Sequence, residues 1–343
     1  MATSFTTAMA LDPQHYEAAH MALSAVGSNT VEPSAAASTA GLMSLAAVSE
    51  ANHKASSVMP IPHMSLNQAL NTLQPHNLVK QNGAALMDRV DTKYLIPKKY
   101  LVSMLAQLAT DYTVLCENHK RIFTYETTYF DTPQKHFYHA HHNGHLNRRK
   151  VRYRRYLESN IGFMEVKLKN NKRRTIKKRV PMDCVMPDQA HVSKFVGECL
   201  VGDGVMQGSH SAPVSLQTSL FVNYRRITLL NKHHQERLTI DVDLGFQCAN
   251  SNNFKKLNDV FIVEVKRDAK QAPSCFSSLI KQLGINQINF SKYCMGLVLT
   301  SGSALKTNRF KHTLLTLKKT TAQNRMLPIN NIKEIHNGTN PGQ

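Results

Sequence analysis

The residues of this chain best suited to chemistry are Arg and Lys, placed at every second position along short apolar-flanked stretches. In KVRYRRYL (150–157), Lys150, Arg152 and Arg154 share one parity against Val151 and Tyr153. In GFMEVKLK (162–169), Glu165, Lys167 and Lys169 oppose Met164, Val166 and Leu168, and in RTIKKRV (174–180), Thr175, Lys177 and Arg179 oppose Ile176 and Val180. Arg89, Asp91 and Lys93 continue the pattern, as do Tyr224, Arg226 and Thr228 in NYRRITLL. RLTIDVDL adds Arg237, Thr239, Asp241 and Asp243, and VFIVEVKR adds Glu264 and Lys266. Guanidinium forks and ammonium point charges are the donors that suit phosphate oxygens. The isolated carboxylates suit either of two tasks, orienting those cations or holding a hard divalent ion.

Alternation with period two is the mark of a strand with one apolar face. An ordinary sheet would turn the charged face to water. Such a face would mix its signs, however, and two like charges about 4 Å apart repel by roughly 4 kcal/mol at an effective dielectric near 20. A polyanion relieves that repulsion. The second geometry turns the polar faces inward in a closed antiparallel barrel, and about eight strands leave room for side chains or one slim ligand. The expected fold is therefore α+β and mainly β: an eight-stranded antiparallel barrel with a polar interior, covered by a few helices.

The elements that would position these residues are legible in outline. Strands are expected at 90–96, 124–131, 150–157, 162–169, 174–180, 219–230, 237–246 and 260–267. Helices are expected at 97–112, where Tyr100, Leu101, Met104, Leu105 and Leu108 share a face, and at 65–80, 187–200, 274–283 and 292–300. Residues 201–213 read as a Gly-containing linker. Residues 1–79 form an Ala/Ser-rich leader, 80–305 the β-rich domain, and 306–343 a basic tail expected to be a solvated extension.

The chain of 343 residues carries a net charge of +19. Residues 1–80 hold Lys54 and Lys80 against Asp12, Glu17, Glu32 and Glu50, a balance of −2, and residues 306–343 hold seven Lys or Arg against Glu334, a balance of +6. The remaining 19 + 2 − 6 = +15 belongs to the middle, which demands a polyanionic partner. The six cysteines show no C-x-x-C pair, which speaks against a disulfide scaffold or a zinc ribbon. No run approaches the roughly 20 apolar residues of a membrane span. The expected location is cytoplasmic, with attachment at the inner membrane face compatible with the basic tail. The run of His136, His139, His141, His142 and His145 contains no Cys or carboxylate and is expected to be a solvated loop rather than a zinc site. Nucleic acid is set aside as a partner, because the basic segments at 169–178 and 304–312 have few aromatic platforms.

The ordered segments DRVDTKYLI, YFDTPQKHFYHAHHNGHLNRRKVRYRRY, FMEVKLKNNKRRTIKKRV, NYRRITLL, ERLTIDVDLGF, FIVEVKR and FSKYCMGL resemble the catalytic domain of the vacuolar transporter chaperone (VTC) polyphosphate polymerases in their bacterial stand-alone form. That family lies within the triphosphate tunnel metalloenzymes (CYTH-like), and the resemblance covers about residues 80–305. It implies transfer of the ATP γ-phosphate onto inorganic polyphosphate, assisted by Mn²⁺ or Mg²⁺. Lys93, Arg152, Arg154, Lys167, Arg226, Arg237 and Lys292 would then act on phosphates. Tyr224 and Ser291 would assist in binding, and Glu264 would hold the metal. Arg89, Lys150, Lys169, Lys177, Arg179 and Lys266 would extend the substrate surface. Where triphosphate-hydrolysing tunnel enzymes carry E-x-E-x-K, this chain reads Arg89-x-Asp91-x-Lys93, which removes one metal carboxylate and adds a cation. The alternatives are a tripolyphosphatase or nucleoside triphosphatase on the same fold, or a non-catalytic polyphosphate-binding module. Eukaryotic relatives couple synthesis to a membrane channel, so a separate membrane protein is a further expected partner.

Overall fold

The computed structural model describes residues 63–83, 89–169, 175–182, 186–201, 215–268, 270, 272–302 and 305–325. The expected leader up to residue 62, residues 202–213 of the expected linker and the tail beyond 325 lie outside the described residues. The chain divides into two compact units, residues 1–57 with 78–85 and residues 58–77 with 86–343. Of the first, the helix Leu78–Gly83 is described.

The frame of the second unit is an antiparallel ladder of eight strands. In spatial order these are β2 (Arg89–Pro97), β11 (Val260–Asp268), β9 (Glu236–Cys248), β8 (Gln217–Asn231), β4 (Phe123–Asp131), β5 (Arg148–Tyr156), β6 (Ile161–Lys169) and β7 (Thr175–Met182). Three short strands flank this path. β3 (Tyr112–Leu115) pairs with β8 and with β1 (Gln74–His76), and β10 (Phe254–Leu257) pairs with β9. Among the described residues no backbone pairing joins β2 to β7, so the ladder is an open path rather than the hydrogen-bonded ring expected from the alternation.

Apolar parity buries the outer face under helices. Helix α3 (Leu101–Leu108) sets Leu101, Met104, Leu105 and Leu108 against Ile227, Leu238, Ile240, Phe261 and Val263, with α6 (Cys275–Gln282) adding Phe276, Leu279 and Ile280. Helix α5 (Gln189–Val201) sets Val192 and Val196 on Val151, Tyr153, Met164 and Val166. The expected 97–112 helix is shorter because Pro97 ends β2 and Tyr112 opens β3, leaving a 3₁₀ turn at Lys98–Tyr100 before α3. The expected 65–80 helix also breaks. Ser65 and Gln68 form a capping box that starts α1 (Leu66–Asn71), and Pro75, which lacks a backbone donor, sits in β1 instead. Arg121 Nη1 closes the far end of α1, donating to the carbonyls of Leu70 (2.5 Å) and Leu73 (2.8 Å).

One irregularity decides where the inner face is polar. The β8–β9 register shifts between Asn223 and Arg225, and Asp243 adopts φ +54°, the signature of a bulge. Asp243 therefore leaves the face shared by Thr239 and Asp241, correcting the simple alternation, and pairs with Lys98 (2.9 Å) and Arg225. Beyond the bulge Leu244 and Phe246 join Leu220, Val222, Val260 and Ile262 under α7 (Lys292–Thr300), which covers the apolar part of the inner face. The approach is close at Gly296, where a Cβ would stand 2.5 Å from Leu220 Cδ2 and 2.6 Å from Phe246 Cδ1.

The segment expected as a solvated basic tail is, through Arg325, the docked helix α8 (Lys311–Arg325). It buries Thr313, Leu317 and Thr320, and its end is held by Asn324, which accepts from the Lys99 backbone N–H (2.7 Å), and by Arg325 on Asp259. Among the described residues no helix is long and apolar enough to cross a membrane.

Gly296→Ala tests the seat of α7. Helix propensity favours Ala by about 1 kcal/mol, whereas overpacking a rigid core costs about 1–3 kcal/mol. Urea denaturation is expected to show net destabilisation; a stabilised variant would contradict the close approach.

Candidate functional site

Strand register brings the basic residues together in rows. Lys150, Lys167 and Lys177 stand directly opposite one another across β5, β6 and β7, and Arg152, Glu165 and Arg179 form the next row. Lys93, Glu264 and Thr239 align across β2, β11 and β9, with Asp91, Lys266 and Arg237 alongside. Curvature of the ladder brings these two sets face to face. The Lys167 ammonium on β6 feels the charges of Glu264 and Lys266 on β11, and that of Lys93 on β2 feels Lys150 on β5.

Four carboxylates hold the cations in place. Glu165, 2% exposed, accepts from Arg152 Nε (2.5 Å) and pairs with Lys177 (2.9 Å). Asp241, 1% exposed, takes both Nε (2.6 Å) and Nη2 (2.9 Å) of Arg226 and also Lys292. Lys266 bridges Glu264 and Asp91, the latter at 3.1 Å. Burial alone would raise the carboxyl pKa of Glu165, but Arg152, Arg154 and Lys177 hold it far below the usual range. Arg226 and Lys292 likewise overcome burial at Asp241, and Lys93 and Lys266 do so at Glu264. These groups stay ionised at neutral pH and act as orienters.

Tyrosines form a second layer. Tyr125 stacks on Tyr224 with centroids 5.2 Å apart and an interplanar angle of 5°. Arg226 lies over both rings, Arg154 over Tyr125, and Lys292 4.6 Å from the Tyr224 centroid. Flat aromatic faces fix guanidinium orientation while adding attraction. The Tyr224 hydroxyl is buried without a hydrogen-bond partner. Burial opposes ionisation of the Tyr129 phenol, yet Arg152, Arg154, Lys150 and Lys292 together lower its pKa, a measure of how positive the space is. The approach to α7 adds two further contacts: Lys93 Nζ donates to the Phe290 carbonyl (3.1 Å) and Lys150 Nζ to Ser291 Oγ (3.0 Å).

The VTC domain matches residues 88–300, more than half of the chain and the whole of this site. The chain belongs to the VTC domain family. No match is found among curated proteins. Solved structures with a similar trace include a candidate adenylyl cyclase from Hippeastrum, described as having a dominant triphosphatase activity (14% identity, TM-score 0.39, covering 64% of this chain and 98% of that one). Candidate adenylate cyclases from Vibrio parahaemolyticus (12%, 0.35, 62% and 99%) and Bacillus halodurans (14%, 0.35, 66% and 100%) are others.

Within this VTC domain the structure gathers Lys93, Lys150, Arg152, Arg154, Lys167, Lys177, Arg179, Tyr224, Arg226, Glu264, Lys266, Ser291 and Lys292. Lys169 stands one row further out, opposite Arg148 and Thr175, and Arg237 lies at the start of β9 opposite Lys266. Arg89 opens β2 opposite Asp268, and its side chain is outside the described residues. The histidine run is not the expected loop: residues His136–His142 form helix α4, with His142 buried. His141, whose Nε2 lies 3.1 Å from the Arg149 carbonyl, is pushed down to about 3 by burial and by Lys150 and Arg148. Of the inward tyrosines the sequence places Tyr224 at the site, but not Tyr125 or Tyr129. Period two applied to TYETTYFD places Tyr125, Thr127, Tyr129 and Asp131 on one face.

Lys167 supplies a pH test. Its side chain is open to solvent, but surrounding protein and neighbouring cations lower its pKa to about 8. A bound polyanion favours the ammonium, so binding takes up a proton above that pH. Affinity for tripolyphosphate is expected to fall as pH rises from about 8 toward 10.5, by at most about tenfold per pH unit from this group. Calorimetric titration across that range checks it, and Lys167→Met should flatten the slope. An equal slope in the variant would contradict the assignment.

Proposed function

We propose that this chain is a polyphosphate-polymerase-type phosphotransferase, moving the γ-phosphate of ATP onto a polyphosphate chain lying in a passage wrapped by the eight strands. The single observation that supports it most is the facing of two cationic sets across one space, with Lys150, Lys167 and Lys177 in one row and Lys177 ion-paired to Glu165 of the next. A linear phosphate chain supplies the missing negative charge along its whole length. In this reading Lys93, Arg152, Arg154, Lys167, Arg226 and Lys292 surround the reacting phosphates, with Arg237 near one end. Lys150, Lys177, Arg179, Lys266, Tyr224 and Ser291 line the path, and Arg89 and Lys169 extend it outward.

Phosphoryl transfer depends mainly on alignment and on stabilising charge that develops on the transferred group. Arg226, fixed by two bonds to Asp241, and Arg152, fixed by Glu165, are donors whose direction is set before substrate arrives. Hydrolysis needs a base to activate water, and a base works best when its pKa lies near the working pH. Glu165, Asp241 and Glu264 are held far below that, whereas a terminal phosphate is already an anionic nucleophile.

A divalent ion fits at Glu264. That carboxylate accepts from the rotatable ammonium of Lys266 rather than from a guanidinium fork, and Asp91 accepts from the same ammonium. Among the described residues no three His, Cys, Asp or Glu side chains gather as a cage, so phosphate oxygens and water would complete the ligand set. When bound, Mn²⁺ or Mg²⁺ would neutralise phosphate charge.

The protein incubated with ATP, Mn²⁺ and a short polyphosphate is expected to lengthen the chain, read by gel electrophoresis alongside released orthophosphate. Lys93→Met and Lys167→Met should each reduce elongation at least about a hundredfold, the order seen when one transition-state donor is lost, with unchanged near-ultraviolet dichroism. Orthophosphate release without elongation would establish a phosphatase instead. Binding without either product would establish a non-catalytic module.

A further inference from the structure

We propose that Asp131 is a positioning residue for the phosphate-gripping end of α7: through Tyr293 it fixes where Ser291 and Lys292 present their donors. The inference rests on the phosphate-binding reading above and extends it to a residue outside the basic rows.

Asp131 ends β4 and is 0% exposed. Its Oδ1 accepts the backbone N–H groups of Thr132 (2.7 Å) and Phe137 (2.9 Å), and its Oδ2 accepts that of Tyr138 (2.9 Å) and the hydroxyl of Tyr293. The bonds from Phe137 and Tyr138 tie the carboxylate to the first turn of α4, where negative charge is favoured. The fourth reaches across to α7. Burial and the Asp131 carboxylate keep the Tyr293 phenol protonated, so it stays a donor. Its hydroxyl also meets Ser219 Oγ (3.3 Å), which receives Lys135 Nζ (3.0 Å), and its ring stacks on Tyr129 at 5.1 Å.

Three successive residues at the start of α7 are thus anchored to three different strands. Ser291 caps the helix and meets Lys150 of β5, Lys292 meets Asp241 of β9, and Tyr293 meets Asp131 of β4. Successive helical residues point about 100° apart, so the Tyr293 anchor sets both the rotation and the axial position from which Lys292 projects. Lys292 has a flexible stem and cannot fix its own origin. Without Asp131, its ammonium would search a wider volume, and Asp241 would lose its second cation for part of the time.

The test is a double-mutant cycle on the full chain, read as the Kd for tripolyphosphate by calorimetry. Tyr293→Phe keeps the ring and removes the hydroxyl, and Asp131→Asn keeps the shape and removes the charge. Lys292→Met is expected to weaken binding about tenfold or more. Tyr293→Phe should weaken it about three- to tenfold alone and less than about twofold in the Lys292→Met background, since residues acting as one unit are not additive. Leu105→Ala, a core change under α3, should lower thermal stability without moving Kd. Equal effects of Tyr293→Phe in both backgrounds, or none in either, would overturn the inference alone. No binding by the unmutated chain would sink the phosphate reading and this inference with it. Hydrogen exchange without ligand gives an independent check. Tyr293→Phe should speed exchange at the Cys294 and Met295 amides, whose protection comes from Ser291, and unchanged protection would also overturn the proposal.

Discussion

Lysines directly opposite one another on neighbouring strands repel, and Lys150, Lys167 and Lys177 form such a row inside the curve of a sheet. No ordinary folding force favours that arrangement. It is tolerated because the strands' other faces bury Val151, Tyr153, Met164 and Val166 under α5, and Ile227, Ile240, Phe261 and Val263 under α3 and α6. Outward burial supplies the stability, and the inner face is left free to carry charge. The carboxylates limit the repulsion where donors must be aimed: Glu165 and Asp241 each hold an arginine and a lysine.

The same division of faces sets where the inner surface is polar. Beyond the Asp243 bulge the inner face turns apolar and is covered by α7, so the inward cations are confined to the other part. Helix α7 is therefore both a cover and a source of donors, because its first residues return to the basic rows. A small packing requirement at Gly296, about one helical turn on, and a buried carboxylate at Asp131, bonded to the next residue Tyr293, thus bear on the position of Lys292.

Much of this was legible in the residues. Alternation in KVRYRRYL, GFMEVKLK and VFIVEVKR gave the strand faces within a residue or two, and the register then placed Arg152 against Glu165 as the parity implied. What sequence could not give was any break in parity. Asp243 continues the pattern on paper, but its positive φ sends it outward to Lys98 and Arg225. Strands without strong alternation, such as β3 and β10, are specified by their neighbours and went unseen. The histidine run looked like a loop because its helix starts after a left-handed Lys135 and is capped by Asp131, a contact made through space and not by adjacency. The tail looked solvated because α8 buries only a sparse stripe of Thr313, Leu317 and Thr320.

The central claim, that the inward cations of β2, β5, β6, β8 and β11 enclose a single phosphate path, is tested most directly by a crystal structure with tripolyphosphate bound. The account predicts phosphate density bounded by Lys93, Arg152, Arg154, Lys167, Arg226 and Lys292. Ordered phosphates found only on the outer surface, with those six side chains unchanged and still turned to one another, would contradict it.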